Sequence, residues 1–205
     1  MPVTLARRAL PVAASLLLFL QLSAQAGTVF VDFETLPDSS PIIDSTSITT
    51  QFPGLTFTDT TVISAGISLN EFEFPPHSGT NVAFDDGGPI SIAFDSPITS
   101  FSGYFTYDEP LTLSAFDASD DQLTTATSLF SSNDALSGDT GSSPNEFLQV
   151  TSDLGISSIT ITGDPAGSSF VMDDVSITSA APEPTSLFLF VTGALGIGAL
   201  RRKLT

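Results

Sequence analysis

The sequence predicts an all-β domain, an antiparallel β-sandwich of jelly-roll type, flanked by an N-terminal signal peptide and a C-terminal apolar helix. Between residues 27 and 178 no long stretch has helical periodicity. Short runs rich in β-branched and aromatic residues instead carry an apolar side chain at every second position. The breaks between these runs are rich in Pro, Gly, Asp and Ser, which favour turns. Many short strands separated by turns are typical of a sandwich.

The alternating runs predict about ten strands in order along the chain. Their predicted ranges are 29–33, 55–58, 81–84, 90–94, 98–107, 111–115, 122–130, 146–151, 156–162 and 170–178. The clearest turn signals are Pro53-Gly54, Gly87-Gly88, Ser96-Pro97 and Asp164-Pro165. The predicted domain therefore spans residues 27–180.

Residues 1–26 have the composition of a secretory signal peptide. Arg7 and Arg8 precede an apolar stretch at 9–22. Ala24 and Ala26 give the small-x-small pattern that signal peptidases require, which predicts cleavage before Gly27. An uncleaved transmembrane helix and a twin-arginine export signal are the alternatives.

Residues 181–205 have three parts. Pro182, Glu183 and Pro184 come first, an apolar stretch at 186–200 follows, and a basic cluster of Arg201, Arg202 and Lys203 lies next to the end. A helix over the apolar stretch would be roughly 22 Å long, shorter than the hydrocarbon core of about 30 Å. Snorkelling cations and local thinning can compensate, so we predict a short transmembrane helix with its basic end in the cytoplasm. A buried core helix is the alternative.

This tail resembles the PEP-CTERM sorting signal of bacterial envelope proteins, on the strength of 182–184, the apolar stretch and 201–203. The resemblance implies recognition by an exosortase, a membrane-embedded protease or transpeptidase, and cleavage near the Pro-Glu-Pro. The product would be released, or joined to the cell surface or an extracellular polysaccharide matrix. If the tail is not cleaved, the chain is a single-pass membrane protein with the sandwich outside.

Acidic and basic residues occupy different parts of the chain. All 5 Lys and Arg residues lie in the two end segments, whereas the 23 acidic residues lie between Asp32 and Glu183. The carboxylates of the middle must therefore face water, accept hydrogen bonds or bind cations. This charge argues against a nucleic-acid binder. The absence of Cys excludes a disulfide scaffold, a thiolate metal site and a Cys nucleophile.

The two ends of the predicted domain carry a second, weaker resemblance. Residues 31–34 and 171–177 are similar to the terminal strands of extracellular jelly rolls of the MAM and carbohydrate-binding-module type. The resemblance implies that the first and last strands are neighbours. It also implies that Asp32 or Glu34 lies near Asp173 or Asp174, where such folds often hold a structural Ca²⁺ ion.

Asp173 and Asp174 support the same metal site by their own chemistry. Strand alternation places adjacent side chains on opposite faces, so one carboxylate would point inward without a basic partner. A hard cation such as Ca²⁺ would satisfy it. Alternatively the strand ends at Met172 and both aspartates lie in a solvated turn. Asp85-Asp86 and Asp120-Asp121 are predicted to be ordinary hairpin residues.

Catalytic residues are scarce in this chain. His77 is the only His, it lies beside Pro75-Pro76, and we predict an exposed loop residue without a catalytic role. No Gly-x-Ser-x-Gly elbow and no phosphate-binding Gly loop is present. The predicted function is therefore not enzymatic.

The sequence predicts an exported, acidic protein of a bacterial cell envelope or extracellular matrix, with a structural or adhesive role. The alternative is a Ca²⁺-assisted carbohydrate-binding module retained in exopolysaccharide. The chain has no Trp, and Tyr104 and Tyr107 are three apart on one strand and so face opposite sides. Most Phe residues occupy inward positions. No aromatic stacking platform is therefore predicted, and the ligand is left open.

Overall fold

The structure, a computed structural model, describes residues 26–180. These residues form ten β-strands and no helix. The strands are β1 (Thr28–Val31), β2 (Thr46–Ser47), β3 (Leu55–Thr58), β4 (Thr60–Ser64), β5 (Asn81–Asp85), β6 (Ile90–Tyr107), β7 (Thr112–Phe116), β8 (Gln122–Thr127), β9 (Glu146–Thr162) and β10 (Phe170–Ser179). Within this range no helix is long and apolar enough to cross a membrane.

Every pair of neighbouring strands is antiparallel. The main hydrogen-bonded path is β2-β4-β5-β10-β6-β9-β7-β8, with β1 added beside β10 and β3 beside β6. The buried side chains form one main core. It includes Phe101 and Phe105 from the second part of β6, Ile92 from the first part of β6, and Leu113 from β7. The predicted all-β, antiparallel sandwich is therefore confirmed.

Two strands are much longer than predicted. The predicted strands 90–94 and 98–107 are one strand, β6, of 18 residues, and 146–151 and 156–162 are one strand, β9, of 17 residues. The β6–β9 register shifts between Ala93 and Ile98, so the strands bend without ending. Pro97 does not end β6 because the ladder is already irregular at this point. The bend lets both strands contribute to the two halves of the sandwich.

The sequence analysis did not predict β2 and β4. β4 follows β3 after the single residue Asp59, which has a positive φ of 54°. This left-handed residue lets the chain leave the β3–β6 ladder and enter the β4–β5 ladder within one position. A single Asp is too short a turn signal to separate two strands in the sequence.

A second, smaller core lies on the outer face of β5 and β10. Leu69 packs there against Val82 and Val171, with Phe74 at its margin. The segment 65–79, between β4 and β5, thus covers this part of the sheet. The same segment positions His77.

Most predicted features of the two chain ends lie outside the described residues. These are the signal peptide up to position 25, including Ala24, and the apolar stretch and basic cluster of 181–205. Ala26 and Gly27 lie just before β1 and are exposed.

Candidate functional site

The first and last strands are neighbours, as the weaker resemblance implied. β1 pairs with β10 in antiparallel register, with Val31 opposite Val175. Of the predicted metal ligands, Asp32 and Glu34 lie just after the end of β1, and Asp173 and Asp174 lie within β10. Three of these four carboxylates converge on one segment, residues 77–81.

Asp173 and Asp174 both reach the outer face of the sheet, although strict alternation would separate them. Asp174 has a positive φ of 49°, and the β10–β6 register shifts between Asp173 and Ser176. This bulge turns the second carboxylate toward the same side as the first. Both residues are buried, with 1% and 8% of their surface exposed. The alternative of a solvated turn is therefore wrong, because β10 continues to Ser179.

Hydrogen bonds from residues 77 and 78 satisfy both aspartates. Oδ2 of Asp173 accepts from the backbone amides of His77 and Ser78, each at 2.9 Å. Oδ1 of Asp174 accepts from Ser78 Oγ at 2.8 Å, and its Oδ2 lies 2.6 Å from His77 Nδ1. The backbone amides and the imidazole provide the positive partial charge that a basic side chain would otherwise supply.

Glu34 binds the next part of the same segment. Its Oε1 accepts from the amides of Thr80 and Asn81, each at 2.7 Å. Gly79 lies beneath this carboxylate with a positive φ of 54°, and a Cβ at this position would overlap the Glu34 side chain. We call Glu34, Asp173 and Asp174 the carboxylate cluster.

Asp32 does not join the carboxylate cluster, since its Oδ1 accepts from the amide of Glu34 at 3.0 Å. Among residues 26–180, no group of three or more His, Asp or Glu side chains has an arrangement that could hold a metal ion. A Ca²⁺ ion at the carboxylate cluster would have to take oxygens that now accept N–H and O–H donors. Calcium binding at Asp32, Glu34, Asp173 and Asp174 stays a prediction.

Burial is the main electrostatic influence on Asp173. The pKa of Asp173 is raised to about 6, mainly by burial and also by the neighbouring charge of Asp174, whereas the amide hydrogen bonds oppose this rise. Asp173 therefore holds its proton to a higher pH than a solvated aspartate does.

Asp85 is not the ordinary hairpin residue that the sequence predicted. It is fully buried, and its carboxylate accepts from the amides of Ser169 and Phe170 and from Ser169 Oγ at 2.9 to 3.1 Å. Desolvation by burial raises its pKa, and these hydrogen bonds partly offset the rise. The partners lie more than 80 residues away in sequence, so the local turn pattern could not show them.

Three aromatic rings lie beside the carboxylate cluster. The ring of His77 is stacked on that of Tyr104, with centroids 3.5 Å apart and planes 8° apart. Phe147 is paired opposite Tyr104 across β6 and β9, with ring centroids 5.4 Å apart, and is 51% exposed. We call His77, Tyr104 and Phe147 the aromatic patch.

The aromatic patch gives the outer face an exposed ring, Phe147, which the sequence analysis did not predict. Tyr104 and Tyr107 do face opposite sides, since Tyr107 is fully buried in the core and Tyr104 is half-buried on the outer face. The sequence analysis missed the contributions of Phe147 and His77. Phe147 was not distinguished from the Phe residues that were predicted to face inward, and the His77 contact depends on the path of segment 65–79.

Comparisons with known proteins concern two different parts of the chain. Among solved structures, the chain is similar to the K2 cleaved adhesin domain of Lys-gingipain, with 13% identity, a TM-score of 0.46, and coverage of 74% of this chain and 99% of that chain. It is also similar to a family 29 carbohydrate-binding module complexed with cellulohexaose, with 11% identity, a TM-score of 0.39, and coverage of 76% and 98%. No curated protein matches the chain significantly.

The other part is the C-terminal segment. Residues 180–203 match the family model of the PEP-CTERM protein-sorting motif. The match begins directly after β10, which ends at Ser179, and it includes 182–184 and 201–203. Such a motif indicates export and membrane-associated sorting. The predicted sorting signal is thus confirmed, and the chain is a protein that carries a PEP-CTERM sorting motif.

Proposed function

We propose that this chain is an exported protein of the cell surface or extracellular matrix, processed by an exosortase near residues 182–184, in which the β-sandwich has a structural or adhesive role. The observation that carries the proposal is the sorting motif at 180–203, placed directly after the last strand. Only residues 180 and 181 separate Ser179 from Pro182. Processing at this place would remove the tail and leave every strand of the sandwich intact.

Mass spectrometry of the C-terminal peptide of the native protein tests this proposal. No Lys or Arg lies between Arg8 and Arg201, so the digest needs a protease that cuts at acidic residues. We expect a C-terminus at or near Pro184. Replacing Pro182 and Pro184 by Ala should leave the tail attached, whereas Pro165→Ala, in an exposed turn outside the motif, should not. A native chain that ends at Thr205 would contradict the proposal.

The aromatic patch favours a second function, the binding of carbohydrate. The apolar C–H face of a pyranose ring packs on exposed aromatic rings, and Phe147 beside the stacked His77 and Tyr104 offers such a surface. In this second function, a Ca²⁺ ion held by the carboxylate cluster next to His77 would assist carbohydrate binding. The test is retention of the purified domain on immobilised glycans, with and without Ca²⁺.

Calcium assistance has its own test. Thermal unfolding is compared in CaCl₂ and in NaCl of the same ionic strength. A saturable extra rise in Tm with Ca²⁺, lost when Asp173→Asn and Asp174→Asn are combined, would establish a calcium site at the carboxylate cluster. The same Ca²⁺ response in this double variant would refute it.

A further inference from the structure

The aromatic patch lies at the boundary between a covered and an open part of the outer sheet face. Segment 65–79 covers β5 and β10 and reaches Tyr104 on β6, where His77 is stacked. On the next strand, β9, Phe147, Gln149 and Thr151 alternate on the outer face and are all exposed. Phe147 is thus the first ring on an open, shallow strip of sheet.

The domain that contains this strip is strongly acidic. Residues 26–180 contain every acidic residue of the chain except Glu183, and no Lys or Arg. A partner rich in carboxylate or sulfate groups would meet repulsion without a compensating cation. A positively charged partner would meet attraction over the whole approach.

Several carboxylates lie close to one another around the loop that carries His77. The loop that carries His77 also carries Glu73 and Pro75. The Glu73 carbonyl accepts from the Ala135 amide at 2.9 Å. The Pro75 carbonyl accepts from Asn145 Nδ2 at 3.2 Å. Burial, followed by the charges of Glu109, Asp134 and Glu73, raises the pKa of Asp108 at this end. These four charges act on one another, and the carboxylate of Asp174 lies 2.6 Å from His77 Nδ1 in the aromatic patch itself.

Resting on the carbohydrate-binding function proposed above, we propose that the aromatic patch binds an amine-bearing polysaccharide. The sugar rings would pack on Phe147 and His77, and the protonated amines would lie in the field of the surrounding carboxylates. An ammonium group beside an aromatic ring also gains a cation–π interaction, which a neutral sugar lacks. The exposed strip of Phe147, Gln149 and Thr151 beside His77 suits a ribbon of sugar rings better than a basic peptide with side chains of varied length.

The test compares oligosaccharides that differ only in the amine. Calorimetric titration of the 27–180 domain with a glucosamine hexamer and with an N-acetylglucosamine hexamer is carried out at a pH where the free amine is protonated. We expect the amine-bearing hexamer to bind at least tenfold more tightly, and its affinity to fall as NaCl is raised. Phe147→Ala should remove this binding. Leu154→Ala, a similar truncation at an 83% exposed position of the same strand, should not.

The other outcomes separate this inference from the function on which it rests. Equal affinity for both hexamers, lost in Phe147→Ala, would overturn the amine preference and leave carbohydrate binding in place. Binding of the glucosamine hexamer that Phe147→Ala does not change would overturn the role of the aromatic patch. Affinity for polylysine with none for glucosamine would assign the surface to a basic peptide instead. No binding of either hexamer would overturn both proposals.

Discussion

Most buried carboxylates of this domain have backbone amides as partners where other proteins use Lys or Arg. Asp85 and Asp173 accept hydrogen bonds from amide groups. The buried Asp134 does the same with the amides of Leu136 and Ser137. Asp174 differs, since its carboxylate is bonded to Ser78 Oγ and His77 Nδ1. Within residues 26–180 no buried side-chain N or O atom lacks a partner. Because the positions of these backbone amides are set by the loops that contain them, the hydrogen bonds to the carboxylates depend on the loop conformation.

Removal of the Asp85 carboxylate should destabilise the domain strongly. Asp85→Ala leaves the amides of Ser169 and Phe170 buried without acceptors. We expect the free energy of unfolding to fall by about 3 kcal/mol or more, measured by urea denaturation. The control is Asp86→Ala, which removes an exposed carboxylate that accepts from Thr61 Oγ1 and should cost about 0.5 kcal/mol or less. Equal losses in the two variants would contradict this role of Asp85.

Asp173 should make stability depend on pH between about 4 and about 6. Its pKa is about 6 in the folded domain against 3.8 for the ordinary group. The folded state therefore keeps this proton over a range in which the unfolded state has lost it. The contribution of Asp173 is complete below the lower pKa and is lost as the pH rises through the higher one.

The measurement is a series of urea denaturations across this pH range. Asp173→Asn keeps the shape and one acceptor oxygen but cannot titrate. We expect the free energy of unfolding of the original domain to fall more steeply with rising pH than that of the variant. Parallel curves would show that Asp173 does not titrate in this range.

At the scale of single residues, the sequence predicted which carboxylates come together but not what satisfies them. The pairing of the first and last strands, which the resemblance to extracellular jelly rolls implied, brings Glu34 to the same segment as Asp173 and Asp174. The donors come from residues 77–81, nearly 100 positions before Asp173. The residue type alone does not reveal the left-handed conformation of Asp174, since Asp tolerates this conformation but more often adopts an ordinary one.

The long strands β6 and β9 determine how the sheet closes into a sandwich. Gly155 in β9 has a positive φ of 87° and lies against Pro97 of β6. The sequence analysis identified both ends of each long strand and treated the bend as a loop, because Pro and Gly signal breaks. A strand can continue past a Pro or Gly when a neighbouring strand goes on pairing with it. A local sequence pattern contains no information about that neighbouring strand.

A side chain at Gly155 should weaken this bend. A Cβ there would lie 3.0 Å from Pro97 Cβ in addition to the strain of the positive φ. Gly54 provides the matched control, since it has a φ of 81° and open space around its Cβ position. We expect Gly54→Ala to lower the free energy of unfolding by about 1 kcal/mol and Gly155→Ala by clearly more, in urea denaturation. Equal losses would mean that the contact with Pro97 has no effect.

The charge of the whole molecule should make its stability depend on salt. Residues 26–180 hold carboxylates without any Lys or Arg, so the compact state repels itself. We expect the Tm of the 27–180 domain to rise as NaCl increases from about 10 mM to about 200 mM, because the Debye length falls from roughly 30 Å to below 10 Å. Differential scanning calorimetry measures this rise. A Tm that falls or stays constant over this range would contradict the prediction.

The pairing of β1 with β10 also determines how the domain responds to mechanical tension. The amide of Ser179 donates to the carbonyl of Gly27 at 2.8 Å, so both ends leave the sheet side by side. Tension between the two ends would peel this ladder one pair at a time.

Tension between residue 180 and position 147 would load the β10–β6 ladder from Asp173 to Ser179 in shear, with many hydrogen bonds resisting together. Single-molecule pulling should therefore need a higher force in the second geometry, and equal forces would refute this. A sandwich held at its C-terminal end and loaded at the aromatic patch would be pulled in its stronger direction.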